Sequence, residues 1–303
     1  MKILIIYNPH AGKQNGHTHA SRLKKAITKK QPDTLITVYK SESISAMIQF
    51  FNTIENDFDT IVIIGGDGTL GPTIDAMIKN NVDIPLYCYG RGTANDYASF
   101  LKTNKSPRRS AKIILTNKQL MSDTLLVNNK NHAINVACGG AFTNGVTRYN
   151  KKSKRLLGKL AYIIKAALTS FNMQSQTLRF VTDDTNFECE VFLFYILNSK
   201  NVGGLKNSCP VSSISDGQLD LVCIKKCGFF GKLSIALSQL RGRLHLNKNV
   251  KHIKGQTFEV HHTDENIKPN FTLTDIDGNA SDPYPMYVTV GKKIPVIIGS
   301  NGK

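Results

Sequence analysis

Apolar positions along the chain follow two regimes. Over the first third, short unbroken apolar runs alternate with segments whose apolar residues return at helical spacing. The run Lys2–Tyr7 stops at Asn8-Pro9 and reads as a buried strand entering a turn. The Lys-rich stretch around Leu23 and Ile27 predicts a helix, and Thr34–Tyr39 predicts a strand. Ile44, Met47, Ile48 and Phe51 place a helix over 43–55. Thr60–Ile64 is a β-branched run, a helix follows Gly68 through Ile78, and Pro85–Tyr89 is another strand. This alternation predicts a parallel, doubly wound sheet over about residues 1–120.

From Thr124 the pattern changes. Strands are expected at 124–127, 132–137, 177–182, 187–197, 218–224, 256–260, 270–275 and 286–290. Two helical segments interrupt them, 156–171 and 229–240, the second carrying Leu233, Ala236, Leu237 and Leu240. The reading is an α/β domain over 1–125 and a β-rich domain over 126–303, with the final strand able to rejoin the first sheet. A length of 303 residues suits two domains at roughly 150 residues each.

Composition sharpens this picture modestly. With 41% hydrophobic and 20% charged residues the chain can bury a core, which excludes a disordered class. The net charge of +17 favours anionic partners. Basic residues gather at Lys151, Lys152, Lys154, Arg155 and Lys159, and again at Arg241, Arg243, His245, Lys248, Lys251, His252 and Lys254. No nucleic-acid recognition motif accompanies them, so an anionic membrane surface is the expected partner. No run of 18 apolar residues occurs, so no membrane span is expected. Six cysteines without zinc-ribbon or C-x-x-C spacing fit a reducing, cytoplasmic setting.

The strongest chemical signal is Gly65-Gly66-Asp67-Gly68-Thr69-Leu70, where an apolar strand meets a helix. Glycines let the backbone approach a ligand, and the unpaired N–H groups of a helix start attract anions. Asp67 is at odds with a bare phosphate site. It either holds a cation, takes a proton from an attacking hydroxyl, or simply caps the helix. A second glycine turn, Gly90-Arg91-Gly92-Thr93-Ala94-Asn95-Asp96, follows the next strand. Successive βα turns lie side by side at the carboxyl edge of such a sheet, so the two could clamp one nucleotide.

GGDGT followed by GTxND resembles the diacylglycerol kinase catalytic superfamily, in particular its soluble bacterial lipid kinases. The likeness extends to Asn8-Pro9 with Gly12-Lys13, Asn135 with Gly139-Gly140, and Leu157 to Tyr162. It continues through Asn198-Ser199 with Gly203-Gly204, Ser215 to Asp220, Gly242 to His245, and Asp277-Gly278-Asn279. The resemblance implies an NAD-kinase-like α/β domain, a C-terminal β-sandwich, and ATP with Mg²⁺ in the cleft between them. It places Gly65, Gly66, Asp67, Gly68, Thr69, Leu70 and Gly71 around the nucleotide phosphates. Asn8, Ser41, Gly92, Thr93, Asn95 and Asp96 complete the nucleotide side. Ser213, Asp216 and Gln218 match a structural magnesium loop.

The chain departs from the family at three points. Gly71-Pro72 replace Asn-Glu, and Pro72 is expected in the first helical turn. Gly90-Arg91 replace Pro and Leu. Asn279 stands where the family has its glutamate base, and an amide accepts no proton near neutral pH. Asp67 is the leading replacement, with Asp275, Asp277 and Asp123 as further acidic candidates. The expected function is an ATP-dependent lipid kinase acting on a diacylglycerol-like hydroxyl at the inner membrane face. NAD kinase, and an impaired homologue that binds nucleotide or lipid, are the alternatives, and a homodimer is compatible with the pattern.

Overall fold

The computed structural model describes residues 1–9, 15–54, 57–103, 106–140, 175–263 and 274–299. The expected helix at 156–171, the basic group from Lys151 to Lys159, and Gly12-Lys13 lie outside the described residues.

The N-terminal domain runs β1 (Lys2–Tyr7), α1 (Gly16–Lys30), β2 (Leu35–Lys40), α2 (Ile44–Thr53), β3 (Thr60–Gly65) and α3 (Asp67–Lys79). It continues with β4 (Leu86–Gly90), α4 (Asp96–Phe100), α5 (Pro107–Thr116) and β5 (Gln119–Ser122). Strands β2, β1, β3 and β4 pair in parallel in that order. Side chains alternate across the sheet, which sorts the core into two layers. Ile3, Ile5, Val62 and Ile64 pack with Leu23, Ile27 and Ile114 of α1 and α5. Leu4, Ile6, Ile61 and Ile63 pack with Met47, Phe51, Ile74 and Met77 of α2 and α3. Each such side chain contributes about 1.5–3 kcal/mol on full burial, so both faces of β3 anchor the turn at its end.

The second domain contains β6 (Leu125–Val127), β7 (Asn131–Ala133), β8 (Val136–Gly140), β9 (Gln176–Thr182), β10 (Asn186–Leu197) and β11 (Leu219–Lys225). It continues with α6 (Phe229–Leu240), β12 (Val250–Gly255), β13 (Thr257–His262), β14 (Thr274–Ile276), β15 (Asn279–Ser281) and β16 (Met286–Val290). Its pairings are antiparallel. The last strand, β17 (Ile294–Ile297), leaves this sheet and inserts between β4 and β5 of the first. The chain therefore ties the two domains together at its end as well as at the 122–125 crossing.

Three expectations change. The single strand at 132–137 is two, β7 and β8, broken around Ile134-Asn135, and β12 forms where only a basic stretch was read. Pro72 sits inside α3, in its second turn rather than its first. Its missing N–H deprives the Gly68 carbonyl of its usual helical partner.

Candidate active site

At the carboxyl ends of β3 and β4 the two glycine turns meet. A Cβ placed on Gly66 would lie 2.7 Å from the Gly92 Cα, so neither glycine tolerates a side chain without moving the turns apart. The Arg91 N–H donates to the Gly65 carbonyl at 2.7 Å, extending the β3–β4 pairing into the turns. Asn95 adopts a left-handed conformation, φ 52°, and its amide holds Gly92 through both backbone groups, at 2.6 and 2.9 Å. It shapes the turn rather than facing outward. Arg91 is likewise engaged, its guanidinium 3.8 Å over the Tyr89 ring and 3.2 Å from His19 Nδ1.

Asp67 opens α3 and lies half-buried between the turns. Its carboxylate accepts the N–H groups of Asp96 at 3.2 Å and Tyr97 at 3.4 Å. A carboxylate has about four lone-pair sites, so two remain for a substrate proton or a cation. A small, open recess lies here, lined by Gly65, Gly66, Asp67, Gly90 and Asn95 among others. A ligand at this place would lie largely over the open turns rather than inside a cavity. Gly68 and Thr93 are exposed at its rim, and nothing lies within 4 Å of a Cβ built on Gly68. The glycine cradle thus fits the phosphates of a nucleotide.

The other nucleotide-side candidates serve this frame. Asn8 Nδ2 donates to Thr69 Oγ1 at 3.3 Å, and Ser41 is buried with its hydroxyl on the Ser43 carbonyl. Leu70 belongs to the core beneath the turn. Gly71 backs onto Asp277: a Cβ there would come 3.0 Å from Asp277 Oδ2, which makes room for side chains larger than glycine scarce.

Asp277 and Gly278 form the two-residue turn of the β14–β15 hairpin, with φ of 50° and 87°, as an Asp-Gly pair favours. The buried Asp277 carboxylate accepts the N–H groups of Ile134, Asn135 and Val136, at 2.7, 3.1 and 2.9 Å. These bonds replace strand pairing at the β7–β8 break. Burial pushes its carboxyl up to about 7, against the three N–H groups that favour its charge. Both oxygens face backbone, so Asp277 acts as a girder between the hairpin and the β7–β8 corner. Asp275 is pushed upward by burial and accepts the Gly278 N–H. Asn279 follows on β15, half-buried.

Asp123 is fully buried at the domain crossing. It accepts the Gly217 N–H at 2.7 Å and pairs with Lys293 at 3.2 Å, while its own N–H donates to the Ile214 carbonyl. It fastens the Ser213–Gln218 loop and does not reach the glycine turns through any of these bonds. In that loop Asp216 Oδ1 accepts the Gln218 N–H, and Oδ2 lies 2.6 Å from the Lys254 ammonium. The positive charge that a magnesium ion would bring is supplied by Lys254. The Ser213, Asp216 and Gln218 set therefore does not fit a cation without displacing that lysine. Lys293 and Asn201 were missed from sequence, and Gly204 and Lys254 were read only as a motif glycine and as part of a basic stretch, because their partners lie far away in the chain.

The diacylglycerol kinase catalytic domain matches residues 2–127, and the YegS C-terminal NAD kinase beta sandwich-like domain matches residues 137–298. A diacylglycerol kinase of Bacillus subtilis is 25% identical over 97% of this chain and 95% of its own length. One of Staphylococcus aureus (strain bovine RF122) is 24% identical over 96% and 87%. The crystal structure of a provisionally named diacylglycerol kinase from Bacillus anthracis superposes with a TM-score of 0.82 over 100% of this chain and 96% of that one, at 21% identity. The chain belongs to the family that joins a diacylglycerol kinase catalytic domain to a YegS-type, NAD-kinase-like β-sandwich.

Proposed function

We propose that the chain transfers the γ-phosphoryl group of ATP to the hydroxyl of a diacylglycerol-like lipid at a membrane surface. The observation that carries this reading is the pair of back-to-back glycine turns with Asp67 held between them. The phosphates lie over Gly66, Gly68 and Gly92, and Asp67 takes the hydroxyl proton as the lipid oxygen bonds to the γ-phosphorus and the bond to the ADP oxygen breaks. The chain's own part is to hold the phosphates and move the proton; a magnesium ion bound with the nucleotide would supply neutralisation of the phosphate charge. With Asn279 in place of a glutamate, proton transfer falls to Asp67, since Asp277 is committed to backbone. General-base assistance typically contributes ~10²–10⁴-fold, so turnover rests on that one carboxylate.

The lipid reading is supported further by α6. Phe230 is 82% exposed, and Leu233, Leu237 and Leu240 also reach solvent along the same helix. Such an apolar patch on a basic protein suits a lipid surface. No helix among the described residues is long and apolar enough to cross a membrane, so contact is from the side.

The test offers labelled ATP and Mg²⁺ with either diacylglycerol in anionic vesicles or NAD. Labelled phosphatidic acid supports the proposal. Labelled NADP would replace it with an NAD kinase, the alternative that the GGDGT turn and the Asn-Asp pair also allow. ATP binding without product from either acceptor would leave only an impaired binding homologue.

A further inference from the structure

Away from the glycine turns, three side chains with metal-binding chemistry converge. Cys209 Sγ lies 3.6 Å from His252 Nε2, and Asp220 Oδ1 lies 2.6 Å from the same nitrogen. The three ligand atoms lie within 4.8 Å of one another. Cys209 and Asp220 are fully or almost fully buried and His252 is partly buried. Both partners share one ring nitrogen, so this is not a nucleophile relay, which would use the two ring nitrogens in series. It is instead three donors around a common point.

The fold sets this up from separate parts of the chain. Asp220 on β11 and His252 on β12 are diagonal neighbours on one face, because Asp220 pairs with Lys254 and Val222 with His252. Cys209 comes from the loop before Pro210, where the Cys209 N–H donates to the Lys200 carbonyl. A further observation points to a ligand. Asp220 is 1% exposed, and its second oxygen, Oδ2, has no hydrogen-bond partner among the described residues. A buried carboxylate oxygen left bare is costly unless something positive meets it. His245 stands beside the cluster, its ring 6.1 Å from that of His252, with Nδ1 also buried and without a partner among the described residues.

We propose that Cys209, Asp220 and His252 bind one zinc ion, with water or His245 in the fourth position. Zinc–sulfur and zinc–nitrogen bonds of about 2.3 and 2.0 Å set a tetrahedral N···S edge of about 3.5 Å, close to the Cys209–His252 distance. The corresponding N···O edge is about 3.3 Å, so the Asp220–His252 hydrogen bond must open by about 0.7 Å and give way to two metal bonds. Thiolate, imidazole and carboxylate together select zinc over the hard cations that prefer all-oxygen sites. Binding displaces the Cys209 thiol proton and the proton shared by His252 and Asp220, which leave to solvent.

The consequence is mechanical. The loop that carries Cys209 also carries Asn201 and Gly204, which bind Asp96 of the glycine-turn segment. Zinc would pin that loop to β11 and β12, and so brace the contact between the domains.

The test uses the full chain, purified with a non-thiol reductant, stripped by a chelator and titrated with Zn²⁺, then with Cd²⁺ as a thiolate-sensitive probe. The expected result is one equivalent of tightly bound zinc, a rise in Tm of several degrees, and a thiolate-to-cadmium absorption band. Cys209→Ser, a one-atom change, should lose the band and weaken zinc binding at least about tenfold, and His252→Gln should weaken zinc binding by a similar factor. Cys189→Ser, on β10 and outside the cluster, should keep both. The proposal is overturned if stripped wild-type protein takes up no zinc at micromolar concentrations, a readout that needs no variant. It is equally overturned if Cys209→Ser retains wild-type affinity and the cadmium band.

Discussion

The Asp96 carboxylate accepts the Gly204 N–H at 2.9 Å, so a residue of the second glycine turn holds a loop of the β-sandwich. The Asp96 carbonyl accepts from Asn201 Nδ2 as well. Asp96 therefore joins the domains directly behind the turn, while its own N–H orients Asp67. Substituting Asp96→Ala should lower unfolding free energy by about 1–3 kcal/mol, the cost of an unpaired part-buried group. Asp96→Asn, which keeps an accepting oxygen, should recover part of it. Urea unfolding of the three proteins checks this; equal midpoints would show that the bond is dispensable.

A second bridge between domains titrates. Asp75 of α3 accepts the His132 N–H at 2.8 Å, contacts His132 Nδ1 at 3.2 Å and pairs with Lys79 at 2.7 Å. Burial works against its charge, yet the bonds from His132 and Lys79 hold its carboxyl below the usual value. A depressed carboxylate adds stability above its unfolded pKa of about 3.9, and that stability fades as pH falls through the folded value. Asp75→Asn should therefore cost about 1–3 kcal/mol at pH 7, and the gap should narrow only below about pH 4. A gap that is the same at pH 7 and pH 3 would contradict this assignment.

Gly68 separates ligand contact from folding. Nothing lies within 4 Å of a Cβ at this position, and its φ is not in the left-handed region. Gly68→Ala should leave Tm almost unchanged while raising the ATP KM several-fold, because in the proposed function the new methyl stands where phosphates approach. Gly66→Ala should do the reverse in part, lowering Tm through the clash with Gly92, by about 1–3 kcal/mol in stability. Thermal melts beside ATP saturation curves distinguish the two.

How far these features could be read from the chain depends on how local they are. The strand–turn–helix at Gly65 was legible because its glycines and apolar run are contiguous, and β1, β3 and β4 followed from the same pattern. The helix at 229–240 was legible too, but its leucines were read only as helical spacing, and the structure leaves Leu233, Leu237 and Leu240 exposed. β12 escaped because Lys251 and Lys254 fall among its apolar residues, so the half-buried strand resembled a charged loop. The break between β7 and β8 depends on Asp277, more than a hundred residues away, and no local pattern signals it. Asp123 looked like a spare acid for the same reason: Gly217 and Lys293 are distant in sequence and decide its role.

If the chain acts on a lipid as proposed, the exposed face of α6 is its docking surface. Inserting Phe230 into a bilayer is worth up to about 1.5–3 kcal/mol, and Leu237, already more than half covered, contributes roughly half as much. A Phe230→Ser, Leu237→Ser double variant should therefore bind anionic vesicles at least about tenfold more weakly, with its Tm preserved. Co-sedimentation with phosphatidylglycerol vesicles measures this, and undiminished binding would move the docking surface elsewhere.

The central claim is that Asp67 carries proton transfer at the glycine turns. The most direct measurement is the rate of phosphatidic acid formation from labelled ATP by wild type and by Asp67→Asn, with unfolding curves taken in parallel. Asparagine keeps one oxygen for the Asp96 N–H and gives up only the longer 3.4 Å bond from the Tyr97 N–H, but it accepts no proton, so the fold should hold with a small loss of stability while kcat falls by ~10²–10⁴. An Asp67→Asn protein that turns over at the wild-type rate would contradict the account.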